Sequence, residues 1–270
     1  MVRHNLPRKN VYRSEYAIDN AALSAYAPSV LAAEPHRSRK DSYAFVPTIQ
    51  VIDALRKEGF ECFEVSQRNT RTPDRLCYTK HMVRMRHHSA FGKEEVPELI
   101  LTNSHDGSSS YELMSGIFRF ICSNGLISGD IFESYKVRHM GNIVEDVVTG
   151  TYKVMEQVNE ITDRIDLYKT TELTADEQMH LAGTARTLVW GQNAPVSVED
   201  LLLERRYQDA GKDLWRTFNR IQENVISGGL SGRSVNGRRI TTRGVQSISR
   251  SVDVNRQLWN LADQLAMEKA

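Results

Sequence analysis

A chain of 270 residues, 40% hydrophobic and 26% charged, has the make-up of a folded protein of one large or two modest domains, and wholesale disorder is excluded. No apolar run comes near the roughly 18 residues of a membrane span, and Met1 to Pro7 is basic without the apolar stretch of a signal peptide, so a cytoplasmic protein with no membrane contact is expected. The net charge of +1 conceals segregation: seven Lys and Arg against two acids over 64–93, four against twelve over 141–204, and five arginines against Glu223 alone over 221–250.

Residues 1–41 read as a basic arm followed by helical character from Ser14 to Ala33, which Pro28 must kink or end. Residues 42–140 read as an α+β core. Pro47 suits the first turn of a helix with Ile49, Ile52 and Leu55 on one face, stopped by Gly59. Phe60–Gln67, Cys77–His87 and Glu98–Asn103 read as three strands of an antiparallel meander. Ser109 followed by Glu112 has the spacing of a capping box, and Leu113, Met114, Ile117, Phe118, Phe120 and Ile121 behind it predict a buried helix ending at Asn124-Gly125. Short extended pieces follow near Leu126–Ile127 and Tyr135–Arg138. With Tyr43-Ala44-Phe45-Val46 as a short extended start, the order is β-α-β-β-β-α.

Residues 141–270 read as largely helical. Thr174 with Glu177 and Ser197 with Asp200 mark two helix starts. An amphipathic stretch from Leu214 to Ile226 closes at Gly228-Gly229, and a last helix covers Val252–Met267. Between these lies a Gly/Arg-rich segment, 228–244, in which Asn236-Gly237 predicts a hairpin with a two-residue loop.

Two groups of residues could carry chemistry. Alternation along Cys77–His87 puts Tyr78, Lys80, Met82, Arg84 and Arg86 on one face. The three cations, at 80, 84 and 86, then make a stripe about 20 Å long, at ~3.3 Å per residue, that suits successive phosphates. Tyr78 could stack on a base. The second group is Arg233, Arg238, Arg239 and Arg243, a clamp of arginines on a glycine-containing hairpin that could close on a phosphate backbone. The acidic run over 141–204 is a solvated face or a contact with a basic neighbour.

Common catalytic signatures are missing: GxxxxGK[ST], HExxH, GxSxG, and GxGxxG after a strand. His81, His87, His88, His105 and Asp106 could bind a metal, but His81 and His87 lie ~20 Å apart along a strand. The three cysteines, Cys62, Cys77 and Cys122, lack CxxC spacing, so neither a zinc site nor a disulfide framework is expected. No catalytic residue, metal or cofactor is assigned.

The strings Tyr43-Ala44-Phe45-Val46-Pro47-Thr48-Ile49, Thr79-Lys80-His81-Met82-Val83-Arg84, Asn103-Ser104-His105-Asp106-Gly107-Ser108-Ser109-Ser110-Tyr111 and Phe118-Arg119-Phe120-Ile121-Cys122-Ser123-Asn124-Gly125-Leu126 resemble a plasmid- and phage-borne family of unknown function, the "phage/plasmid-like proteins". Gly211-Lys212-Asp213-Leu214-Trp215-Arg216-Thr217-Phe218 is similar to that family too. The resemblance implies a mobile-element setting. The order of elements also resembles, more distantly, the cores of Erf- and RecT-type single-strand annealing proteins. That likeness implies a DNA groove beside the meander and assembly into rings or filaments.

Together these point to a nucleic-acid-binding protein, expected to hold single-stranded DNA and to promote annealing and recombination as a homo-oligomer. The alternatives are a metal-dependent nuclease and a protein-binding inhibitor of host defence.

Overall fold

The computed structural model describes residues 11–40, 43, 45–90, 95–119, 124–127, 135–136, 143–156 and 158–269. The chain forms two units: Met1–Phe118 with Phe132–Gln157, and Arg119–Ile131 with Val158–Ala270. The fold class is α+β.

In the first unit, strand β1 (Val11–Arg13) lies at one edge of an antiparallel sheet and pairs with β2 (Phe60–Gln67), Tyr12 opposite Val65. Part of the expected basic arm is therefore sheet. Helix α1 (Asn20–Tyr26) starts where the Asp19 carboxylate accepts the Ala22 amide at 2.8 Å, satisfying one of the amides a helix start leaves open. A 3-10 turn, Pro28–Leu31, follows it, so only part of 14–33 is helical. Helix α2 (Thr48–Lys57) begins after Pro47 and buries Val51, Ile52 and Leu55, as the apolar spacing requires.

Strands β3 (His81–His87), β4 (Glu95–Asn103) and β5 (Glu112–Arg119) continue the sheet in sequence order, and the short β7 (Tyr135–Lys136) pairs with β5. Helix α3 (Ile143–Glu156) packs on α2 and β4. Cys62, Val65, Val83, Met85, Leu99, Leu101 and Leu113 face Leu23, Val30, Ile52 and Leu55 in one core.

Two expectations fail here. Residues Glu112–Arg119 are a strand, not the helix expected behind Ser109. Leu113 to Arg119 are buried without interruption, and a strand buried on both faces reads as an apolar run, which periodicity cannot separate from a buried helix. The Ser109 amide donates to Ser104 Oγ at 2.9 Å, closing the 104–109 loop instead of starting a helix. From α2 to β5 the order is thus α-β-β-β-β: Phe45 and Val46 belong to no strand, and the last element is not the helix that the annealing-protein likeness implies. The strand expected from Cys77 begins only at His81, because Pro73–Tyr78 is a 3-10 helix.

The second unit holds β6 (Asn124–Ile127), α4 (Val158–Thr170), α5 (Ala175–Trp190), α6 (Val198–Leu202), α7 (Leu214–Ser227) and α8 (Ile248–Lys269). Both expected capping boxes are present: Thr174 with Glu177 opens α5, and Ser197 with Asp200 opens α6. Tyr168, Trp215, Phe218 and Trp259 form an aromatic centre, with successive ring centroids 5.5–6.5 Å apart. The Tyr168 hydroxyl donates to Asp263 at 3.0 Å, so its one polar atom is satisfied within that centre.

No helix among the described residues is long and apolar enough to cross a membrane.

Candidate nucleic-acid interface

Strands β8 (Gly228–Arg233) and β9 (Arg239–Arg243) follow α7 as an antiparallel hairpin. Its loop has three residues, Val235-Asn236-Gly237, rather than two. The Ser234 amide donates to the Arg238 carbonyl at 2.9 Å, and the Gly237 amide donates to the Ser234 carbonyl at 2.8 Å. Gly237 sits at φ +73°, where a glycine avoids the Cβ strain other residues would meet. This is the geometry of a turn closed by a left-handed residue, the usual form of a three-residue hairpin loop.

Register decides what the hairpin presents. Arg233 stands opposite Arg239, and Ser231 opposite Thr241. Arg233, Arg238, Arg239 and Arg243 are all exposed. Arg233 Nη1 donates to the Gly237 carbonyl at 3.2 Å. Among the described residues no carboxylate forms an ion pair with any of these four arginines. The strands are fixed from behind, where the Arg233 amide donates to the Pro195 carbonyl at 2.8 Å. A groove of about 550 Å³ is lined by Ser231, Gly232, Arg233, Arg239, Ile240 and Thr241. The structure thus gathers the expected clamp residues on one exposed hairpin.

The expected strand stripe is not formed. Arg84 and Arg86 share a face of β3, as alternation requires, but that face is buried. Arg84 Nε donates to Glu98 Oε2 at 2.6 Å and Arg86 Nε donates to Glu98 Oε1 at 2.8 Å. The Arg86 guanidinium also lies over two rings, 4.6 Å from the centroid of Phe63 and 3.5 Å from that of Phe118. Glu64, opposite Arg84, takes Arg13 at 2.7 Å. These charges form a ladder across strands, and the acids that balance β3 stand on its neighbours. Lys80 is half-buried and precedes the strand. Tyr78 ends the 3-10 helix, half-buried, its ring edge-on to His36 with centroids 5.1 Å apart.

The histidines sort differently from their order in the chain. His81 and His105 come together, ring centroids 5.1 Å apart, around the Thr48 hydroxyl, which lies 2.8 Å from His81 Nε2 and 3.4 Å from His105 Nε2. Asn103 Nδ2 donates to the same hydroxyl at 3.0 Å. Burial holds His81 down to about 3, with His105 adding to the effect, and burial holds His105 down to about 4. Both rings are therefore neutral at physiological pH. His87 and His88 pair elsewhere, 4.2 Å apart. Among the described residues no three His, Cys, Asp or Glu side chains are placed to share a metal ion. Sequence reasoning did not single out His36 or Asp74, which meet beside Tyr78 only because the 3-10 helix turns there.

The fold and site define an α+β protein with a sheet unit, a helical unit and an uncompensated basic hairpin. Residues 35–259 match the domain of unknown function DUF932, and the chain belongs to that family. It is similar to two Escherichia coli (strain K12) proteins, UPF0380 protein YafZ and UPF0380 protein YfjQ. Each is 40% identical to it over 257 residues, covering 95% of this chain and 94% of the relative. No solved structure matches the chain.

Proposed function

We propose that the protein binds nucleic acid, single-stranded DNA in preference, with the β8–β9 hairpin as a clamp on the phosphate backbone. The observation that carries this reading is the direct opposition of Arg233 and Arg239 on an exposed face without a balancing carboxylate among the described residues. Like charges facing each other across an antiparallel pair destabilise it, and an anion between them reverses the sign of that effect. Arg238 and Arg243 extend the positive surface to both ends of β9. Val235 and Ile240, exposed beside the arginines, offer apolar contact to bases that only an unpaired strand presents. Assembly along a strand would set the acidic residues of 141–204 against the basic hairpin of a neighbouring copy, and annealing of complementary strands would be its consequence. No cofactor enters the reading.

The test is a titration of labelled single- and double-stranded oligonucleotides at several salt concentrations. Four phosphate contacts to a single strand give a slope of log K against log salt of roughly −3, at ~0.7 per contact. Replacing all four hairpin arginines with alanine should abolish most of that slope while leaving melting unchanged or slightly raised, since the Arg233–Arg239 repulsion goes with them. Equal indifference to both DNA forms at low salt would remove the reading.

A further inference from the structure

A second site lies in the first unit. Glu34, Pro35, His36, Arg37, Asp74 and Tyr78 line a pocket of about 360 Å³, within the range of small-ligand sites. His36 is 95% buried, being only 5% exposed, yet one of its ring nitrogens has no hydrogen-bond partner among the described residues. The tautomer can be assigned from its neighbours. The Ser38 amide, which can only donate, reaches His36 Nδ1 at 3.2 Å, so Nδ1 accepts and the proton of the neutral ring sits on Nε2. That Nε2–H is the unused donor. Asp74 Oδ2 stands 3.8 Å from it, beyond hydrogen-bond distance, and accepts from Arg37 Nη2 at 3.3 Å.

The pocket thus presents a buried donor, a half-exposed carboxylate acceptor a few ångströms away and an aromatic wall, Tyr78. We infer that it binds a nucleobase carrying an exocyclic amino group: adenine, cytosine or guanine. Each presents, side by side, an acceptor for His36 Nε2–H and an N–H donor for Asp74, with a flat ring to lie against Tyr78. Thymine also sets an N–H beside a carbonyl acceptor, but a second carbonyl on the far side of that N–H faces the Asp74 carboxylate and is repelled by it, so thymine fits less well than the three bases with an amino group. The Arg37 side chain, 84% exposed, keeps further donors at the mouth for the attached phosphate. An unpartnered buried donor costs folding free energy unless a ligand takes it, which is the physical reason to read this pocket as a site. The choice of a nucleobase rests on the reading of the protein as a nucleic-acid binder, and the same base chemistry can come from a bound strand or from a free nucleotide.

The experiment uses the full chain with isotope-labelled histidine and tyrosine, titrated separately with dAMP, dCMP, dGMP, dTMP, inorganic phosphate and a short oligo-dC. The His36 and Tyr78 resonances should move with the three amino-bearing nucleotides, with dTMP roughly tenfold weaker and phosphate without effect. Asp74→Asn should weaken binding by about tenfold or more, the cost of a charge-assisted hydrogen bond, with melting unchanged because the side chain is half-exposed. Movement with oligo-dC as well as with nucleotides identifies a base of a bound strand; movement with nucleotides alone identifies a free nucleotide. Movement with phosphate alone, or with nothing, overturns the inference. The variant lacking the four hairpin arginines separates the two readings: it should lose the salt-dependent binding of oligonucleotides and keep its response to mononucleotides.

Discussion

Glu98 on β4 stands directly opposite Arg86 on β3 and bonds it at 2.8 Å, while its second oxygen takes Arg84 at 2.6 Å. All three side chains are buried. Removing one member of a buried ion cluster leaves buried charge without a partner it had, at a cost of about 3–5 kcal/mol. Glu98→Ala is therefore expected to lower stability by that amount in urea denaturation. Arg86→Ala should be similarly severe, since it also empties the space between Phe63 and Phe118. An unchanged urea midpoint for either variant would show that the face is solvated after all.

The same pair explains what sequence could and could not reveal. Alternation along β3 correctly placed Arg84 and Arg86 on one face. It could not say whether that face meets water, because the balancing acids, Glu64 and Glu98, belong to strands 20 and 14 positions away from Arg84 and become neighbours only through register. Hairpin and helix starts were legible because their signals are local: Gly237 in the loop, Thr174 with Glu177, Ser197 with Asp200. Strand β5 was not, since burial on both faces erases the two-residue period. The His36–Asp74–Tyr78 pocket and the His81–His105 pair had no local signal at all.

Protonation should unfold the first unit. His81 and His105 have folded-state values held to about 3 and about 4, below the usual value near 6.5. A base whose value is depressed on folding binds fewer protons folded than unfolded, so its contribution to stability is complete above ~6.5 and is lost as pH falls from there toward 4. Each imidazole contributes at most ~1.4 kcal/mol per pH unit in that window. Urea midpoints measured at pH 7, 6 and 5 should fall progressively. In His81→Gln the decline should be shallower, and an identical slope in both proteins would contradict the assignment.

Gly232 fixes the hairpin to its support. A Cβ built on it would lie 2.0 Å from the Pro195 carbonyl oxygen, a backbone atom that cannot swing aside. Gly232→Ala is expected to cost ~1–3 kcal/mol through overpacking and to lift the hairpin from residues 195–196. Amide exchange at Arg233, whose N–H donates to Pro195, should accelerate more than exchange in α7, and its persistence at the parent rate would show the hairpin can adapt.

At Arg233 stability and binding pull in opposite directions. Arg233 faces Arg239 across the strand pair, both exposed, with no carboxylate paired to either among the described residues. Arg233→Glu replaces a repulsive cross-strand pair by an attractive one, so the free protein should become slightly more stable, by ~0.2–1 kcal/mol. If the hairpin holds phosphate, the same change removes one cation and adds an anion where the backbone lies. Single-stranded DNA should then bind more weakly, with a shallower salt dependence by at least the ~0.7 of one lost contact. Melting curves and oligonucleotide titrations on the same preparation read both quantities. A protein that gains stability and loses DNA has its arginines opposed for the sake of a ligand. One that gains stability and binds DNA as before has a hairpin whose charge serves something other than nucleic acid.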